Sequence, residues 1–237
     1  MSNQKSTRRG YVDTDAKEFS DENLLILRKA QKEIHWLLDR GYPIKNVVTF
    51  IGNHYLFSNR QRLALMRSTS PTASVMERKS KEVVDCENKS IYIDGFNLII
   101  TLEVALSSGT LIKCMDGTIR DLAGLRGTYR LIDKTDTAIS LIGERLQTLC
   151  IAEVVFYLDA PVSNSGRLKE RIYQVLCDYE YTVSVELVNS PDTLLKSKSY
   201  VVTSDAIILD DCKSWINMGN TIISEDIHDV GIIELKG

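Results

Sequence analysis

Ser90-Ile91-Tyr92-Ile93-Asp94-Gly95-Phe96-Asn97 is the stretch that decides the fold. Ser90 to Ile93 alternates too little for a half-exposed strand and reads as a central one. A carboxylate, a glycine and an asparagine follow where the chain must turn into a helix. In open α/β sheets ligands sit outside the carboxyl ends of the strands. Two later stretches end the same way, Val154-Val155-Phe156-Tyr157-Leu158-Asp159 and Tyr200-Val201-Val202-Thr203-Ser204-Asp205. Asp94, Asp159 and Asp205 therefore point to one acidic site at one sheet edge.

Working outward, strands alternate with helices. Asn97 to Leu106 reads as a helix, ended by Ser107-Ser108-Gly109. A loop-rich stretch with Asp116-Gly117, Gly124 and Gly127 follows, and Asp136 is placed to cap a helix to about Cys150. Strands are expected at 153–158, 183–188, 200–203 and 221–224, with a helix to about Asp178 after Ser163-Asn164-Ser165-Gly166. Such spacing implies a three-layer α/β sandwich with a mainly parallel sheet over residues 90–237.

Before it, residues 1–19 read as a flexible lead-in and 20–70 as a small all-α domain. Ser20 is a helix N-cap candidate, with Asp21 and Glu22 at the positive end of the dipole. Leu24, Leu27, Ile34, Leu37 and Leu38 recur at helical spacing until Gly41. Pro43 opens a second helix ended by Gly52, and Ser58 with Gln61 forms a capping box for a third. Residues 71–89 read as a linker or connecting helix.

The 237 residues are 43% hydrophobic, enough for a sizeable core. No apolar run reaches membrane-spanning length and Met1 to Gly10 is polar and basic, so a cytoplasmic protein without membrane contact is expected. Five cysteines without a C-x-x-C pair read as reduced thiols, and His35, His54 and His228 lack zinc-ligand spacing. Residues 1–89 carry 16 basic against 11 acidic side chains, and the remainder 13 against 21. A basic front and an acidic back suit a polyanion-gripping part beside a cation-binding part.

Carboxylates on neighbouring strand ends suit Mg²⁺ or Mn²⁺, hard cations that prefer oxygen ligands and keep several waters. Asp is short and rigidly placed by a strand, and a cation offsets the mutual repulsion. One ion, or two ~3.5–4 Å apart, can hold a phosphodiester and activate water. If Ala206 to Leu209 begin a helix, Asp210 or Asp211 lies about one turn beyond Asp205 and faces the same site.

The strings IYIDGFNLI, VVFYLDAP and YVVTSDAIILDD resemble the strand-end motifs of PIN-like nucleases, especially their NYN branch. The resemblance covers residues 90 to about 225. It implies a parallel-sheet, metal-dependent ribonuclease with Asp94, Asp159 and Asp205 as ligands and Asn97 as the first aspartate's polar companion. Asp210 or Asp211 would be the last acid. Residues 22–67, with R-G-Y, F-I-G-N and N-R-Q-R-L-A-L-M-R, resemble a prokaryotic helical domain of unknown function that accompanies PIN-like C-terminal parts. Two departures stand out. The second, helix-borne acid of PIN nucleases could be Glu103 or Glu144, and Ala206 stands where a charged residue often follows the third aspartate.

The expected partner is RNA, and a homo-oligomer is left open. Between residues 28 and 67 eight side chains are basic and two acidic. Arg60, Arg62 and Arg67 on the third helix, and Arg120 and Arg126 in the loop from Lys113 to Arg130, are candidate phosphate contacts. Trp36, Tyr42, Phe50, Tyr55 and Phe57 are expected mainly as the helical domain's core, with a base-stacking residue among them. The leading expectation is metal-dependent RNA cleavage. Its rivals are an inactive PIN-like module that binds nucleic acid or protein, and an aspartyl phosphohydrolase. The last wants Asp-x-Asp where the chain has Asp94-Gly95-Phe96.

Overall fold

The computed structural model describes residues 7–124 and 127–235. Its centre is β1 (Ser90–Asp94), inside a four-stranded sheet of order β5 (Thr182–Val188), β4 (Glu153–Asp159), β1, β6 (Val201–Val202). Every pair in it is parallel, so the central, parallel reading of β1 holds. Ile91 stands beside Val154 and Ile93 beside Phe156, whereas Tyr92 and Asp94 pair with Val155 and Tyr157. Successive side chains therefore feed opposite faces. One face joins a core with α6 (Gly95–Leu106), α7 (Thr135–Thr148), α8 (Ser165–Leu176) and α11 (Met218–Glu225). On the other, Val155, Tyr157 and Val201 pack with Leu195 of α9 (Pro191–Leu195), Ile208 and Leu209 of α10 (Ala206–Asp211), and Trp215.

Nearly every side chain of α6 is buried, as befits a helix that is apolar all round. It touches the parallel sheet and also a second sheet of order β3 (Ile119–Asp121), β2 (Leu111–Lys113), β7 (Ile232–Glu234). Gly95 admits this helix. A Cβ there would lie 2.5 Å from Leu158 Cδ2 and 3.2 Å from the Tyr157 carbonyl.

The N-terminal part folds as α1 (Asp15–Glu18), α2 (Asp21–Leu38), α3 (Ile44–His54), α4 (Asn59–Ser68) and α5 (Thr72–Ser80). The capping box forms: Ser58 Oγ accepts from the Gln61 N–H at 3.1 Å, and Gln61 Oε1 accepts from the Ser58 N–H at 3.1 Å. Gly41, at φ +82°, takes the left-handed conformation that follows α2. No helix among the described residues is long and apolar enough to cross a membrane. All five cysteines are free thiols, three of them buried.

Several expectations are corrected. The helical part does not bury its apolar face by itself: Leu27, Ile34, Val48 and Leu65 share one core with Ile112, Cys114, Leu122, Ile233 and Leu235. Tyr55 packs against that core and Phe57 lies within it, but Trp36, Tyr42 and Phe50 stand exposed. α3 continues through Gly52, whose missing Cβ makes room for the Arg62 guanidinium. The segment 221–224 is helical, because Met218, Ile222 and Ile223 line one buried side of α11. Asp136 does not cap α7 but receives Arg171 Nε at 2.6 Å.

The described part of the lead-in, from residue 7, is anchored, and residues 1–6 lie outside the described residues. Asp15 pairs with Arg60 at 2.7 Å and accepts from Thr110 Oγ1 at 2.5 Å. Arg9 Nε lies 2.6 Å from Oε2 of Glu103, which is 0% exposed. The two atoms meet as an ion pair, with no hydrogen bond between them. The other oxygen of Glu103 accepts from Tyr129 Oη at 2.8 Å and Thr135 Oγ1 at 2.5 Å. Burial pushes the Glu103 carboxyl up against the pull of Arg9 and the two hydroxyls. Removing one partner of a buried pair leaves the other charge uncompensated, at about 3–5 kcal/mol. Arg9→Met is therefore expected to lose about that much in urea unfolding, and Arg9→Met/Glu103→Gln to recover part of it. Equal stability of Arg9→Met and wild type would disprove the role of the pair.

Candidate functional site

The sheet's carboxyl edge opens on a cleft of about 540 Å³ lined by Asp94, Asp159, Asp192, Asp205, Asn97 and Arg67, among others. Register explains the arrangement. Tyr92 and Ile93 pair with Val201 and Val202, so the next residues, Asp94 and Thr203, come out side by side. Thr203 Oγ1 donates to Asp94 Oδ2 at 2.9 Å and accepts from the Asp205 N–H at 3.1 Å. Asp205 Oδ1 in turn accepts from the Ile207 N–H at 2.7 Å, capping α10. Asn97 Oδ1 accepts from both the N–H and the hydroxyl of Ser204, at 2.8 and 3.0 Å. The Thr203-Ser204-Asp205 turn is thus fixed from β1 and α6 together.

A buried network braces the same edge. Asp116, 1% exposed, receives Arg78 Nη1 at 2.8 Å and Arg120 Nη2 at 2.7 Å. Burial opposes its ionisation, but Arg120, Thr118 and Arg78 together hold the carboxyl below its usual range. Arg120 also donates to the Ser204 carbonyl at 2.7 Å and the Arg67 carbonyl at 2.5 Å. Arg78 clasps Asp210 through Nε at 2.6 Å and Nη2 at 3.0 Å.

The carboxylates perturb one another. Burial, then repulsion from Asp205 and Asp192, pushes Asp94 up to about 7 against its bond from Thr203. Burial and Asp192 raise Asp159, and burial and Asp205 raise Asp192, which Lys196 partly offsets. Among the described residues none of these four acids has a basic partner within ion-pair distance. Nor do any three His, Cys, Asp or Glu side chains among the described residues converge closely enough to form a ligand shell by themselves.

Other expected positions fall elsewhere. Asp210 is committed to Arg78, and Asp211 to Lys196 at 2.9 Å, because the far end of α10 turns them toward α5 and the segment after α9. Glu103 is sealed in the core, and Glu144 lies on α7 beside Tyr179. Arg60 is tied to Asp15 and to the carbonyls of Gly10 and Leu122. Arg62 donates to the Phe57 and Thr49 carbonyls and to Asn53, ties internal to the helical part and away from the cleft lining. Arg67 and Arg120 do line the cleft, Arg67 also bonding Asp121, while Arg126 lies outside the described residues. Two cleft acids escaped the sequence reading. Asp192 follows Pro191 at a helix start, where an acid is ordinary, and Asp121 ends a three-residue strand inside an expected loop. The strand–turn–acid pattern after 183–188 was the available signal for Asp192.

Fold and site define an α/β protein with an acidic cleft at the carboxyl edge of a parallel sheet. Residues 83–221 match the family model described as a domain of unknown function (DUF5616), and the chain belongs to that family. Residues 26–81 match the model described as a protein of unknown function (DUF434). A protein of Methanocaldococcus jannaschii described as uncharacterized is 36% identical over 185 residues, covering 77% of this chain and 88% of that one. No solved structure matches. These descriptions state no activity.

The raised Asp94 predicts a stability trend. A carboxyl whose folded pKa lies above its unfolded value binds more protons folded than unfolded, so stability falls as pH rises from about 3.8 to about 7. Asp94→Asn keeps an acceptor for Thr203 and removes the charge. In metal-free buffer its unfolding free energy is expected to exceed that of wild type above pH 7, by on the order of 4 kcal/mol for a carboxyl moved from 3.8 to about 7, and to converge near pH 4. Parallel curves for the two proteins across that range would refute the shift.

Proposed function

We propose that this chain is a Mg²⁺- or Mn²⁺-dependent phosphodiester hydrolase of the ribonuclease type, on a PIN-like three-layer α/β sandwich. One observation carries the reading: Asp94, Asp159, Asp192 and Asp205, from separate turns at one sheet edge, line one cleft and, among the described residues, have no basic partner in ion-pair contact. The donor chemistry suits a hard cation, which prefers carboxylate oxygen and keeps several of its waters, so that fewer than three carboxylates need reach it directly. When bound, such an ion supplies charge neutralisation at the phosphodiester and lowers the pKa of water.

The chain's own residues then have distinct tasks. Asp94, Asp159 and Asp205 hold ligand positions, and Asp192 takes the place expected of Asp210 or Asp211. Thr203 orients one oxygen of Asp94, while Asn97 fixes the turn that carries Asp205. Arg67 places a partly exposed positive charge on the cleft wall, where a phosphodiester would meet it, and Arg120, buried behind it, holds the Ser204 turn. The cleft itself speaks for a phosphodiester. RNA as the substrate class comes from the similarity of the three strand-end motifs to PIN-like nucleases.

The test is cleavage of labelled single-stranded and hairpin RNA with Mn²⁺, alongside thermal unfolding with Mn²⁺ alone. Wild type is expected to cut and to be stabilised by Mn²⁺, and Asp94→Asn to lose at least 100-fold in rate with most of the stabilisation. Mn²⁺ stabilisation without cutting would favour a binding module. Equal cleavage by both proteins would remove the assignment.

A further inference from the structure

At the opposite end of the same strands lies a second cleft, of about 470 Å³, lined by Lys89, Lys198, Lys213, Ser197, Ser199 and Tyr92 among others. We propose that it binds a backbone phosphate of a single-stranded nucleic acid whose reacting phosphodiester lies in the acidic cleft. The choice of ligand rests on the phosphodiesterase reading above; the site itself rests on its own geometry.

Three lysines from three separate segments line it. Among the described residues no carboxylate is within ion-pair distance of any of them. The nearby Glu153 carboxylate accepts from Ser90 Oγ at 3.2 Å, and Lys196, the neighbouring lysine, is the one that Asp211 takes. Like charges lining one cleft disfavour one another, and an anion between them offsets that repulsion. The cluster is also held in place. The Lys213 N–H donates to the Lys198 carbonyl at 2.9 Å, fixing two of the lysines relative to each other. Lys198 Nζ sits 4.5 Å from the centre of the Tyr92 ring, a cation–π contact that restrains the ammonium. Tyr200 adopts φ +58°, uncommon for an aromatic residue, with its N–H donated to Ser214 Oγ at 2.9 Å. That turn brings 197–199 back over the strand ends, so Ser197 and Ser199 line the cleft with Lys198.

The spacing links the two clefts. β1 runs from Ser90, in the basic cleft, to Asp94, in the acidic one, roughly 13 Å at the strand rise. The chain runs from Asp205 to Lys213 through α10, and from Asp192 to Ser197 through α9, between the same two clefts. A strand of nucleic acid crossing α9 would therefore present one phosphate to the carboxylates and another, a few nucleotides along, to the lysines. The first needs a cation and the second does not, so the two contacts differ in their response to metal and salt.

The experiment measures binding of a fluorescent 12-nucleotide single-stranded RNA by full-length protein, in EDTA, at several salt concentrations. Asp94→Asn serves as the reference, and Lys198→Glu/Lys213→Glu is made in that background. Lys213 is exposed and Lys198 half-buried, and matched melting temperatures establish folding; Lys198→Gln/Lys213→Gln is the milder second variant. Loss of at least tenfold in affinity, with a salt slope shallower by about one to two, is the expected result for the reversal and a smaller loss in both for the glutamine pair. Unchanged affinity and slope in both variants, or no binding by the reference, overturns the proposal. Cleavage assays separate the two readings: wild type that binds through the lysines yet never cuts upholds this site and removes the nuclease, while cleavage with lysine variants unaffected in binding does the reverse.

Discussion

Asp116 holds the structure together at the point where its parts meet. Its carboxylate, almost fully buried, receives one guanidinium from α5 and another from β3. Those two arginines reach on to opposite ends of α10, Arg78 to Asp210 and Arg120 to the Ser204 carbonyl just before it. The helical N-terminal part, the small sheet and the acidic edge thereby share one set of charges. Buried ion pairs are poor sources of net stability because desolvation opposes them. Their effect here is geometric: α10 cannot shift without leaving a charge uncompensated. Asp205, which caps that helix, inherits the rigidity.

What the sequence made legible follows from how local each signal is. β1 was readable because its apolar run and the Asp-Gly step belong to six adjacent residues. The Ser58–Gln61 capping box was readable for the same reason, being a contact across three residues. Asp94, Asp159 and Asp205 were readable as a set because the first two end apolar strands and the third follows one by three residues, and the cleft is lined by all of them. Asp210 and Asp211 were misplaced because sequence shows the helix but not the side on which Arg78 and Lys196 wait. Arg60 and Arg62 looked like free surface charge because their acceptors are mostly backbone carbonyls, which leave no mark in composition. The run Thr221-Ile222-Ile223-Ser224 looked like a strand, since two isoleucines fit either period and only burial beside Met218 decides.

The two family matches divide the chain near residue 82, yet its packing does not. Residues of α2, α3 and α4 contribute to the same core as β2, β3 and the residues around β7. A fragment ending at that boundary would expose Leu27, Ile34 and Leu65 on one side and Ile112 and Leu122 on the other. The helical part thus forms a wall of the fold, and through Arg67 a piece of the cleft rim.

The parallel pairing of β7 with β2, and the bond from Arg28 to the Glu234 carbonyl across 206 positions, carry a consequence for synthesis. During translation α2 leaves the ribosome long before the strand that completes its hydrophobic surroundings. Helices form locally and early, but contacts of such sequence separation form slowly. The nascent helical part must therefore wait with apolar side chains uncovered, the condition in which chaperones bind and chains associate. Its strongly basic character, unusual beside the acidic remainder, keeps such waiting chains apart by charge repulsion.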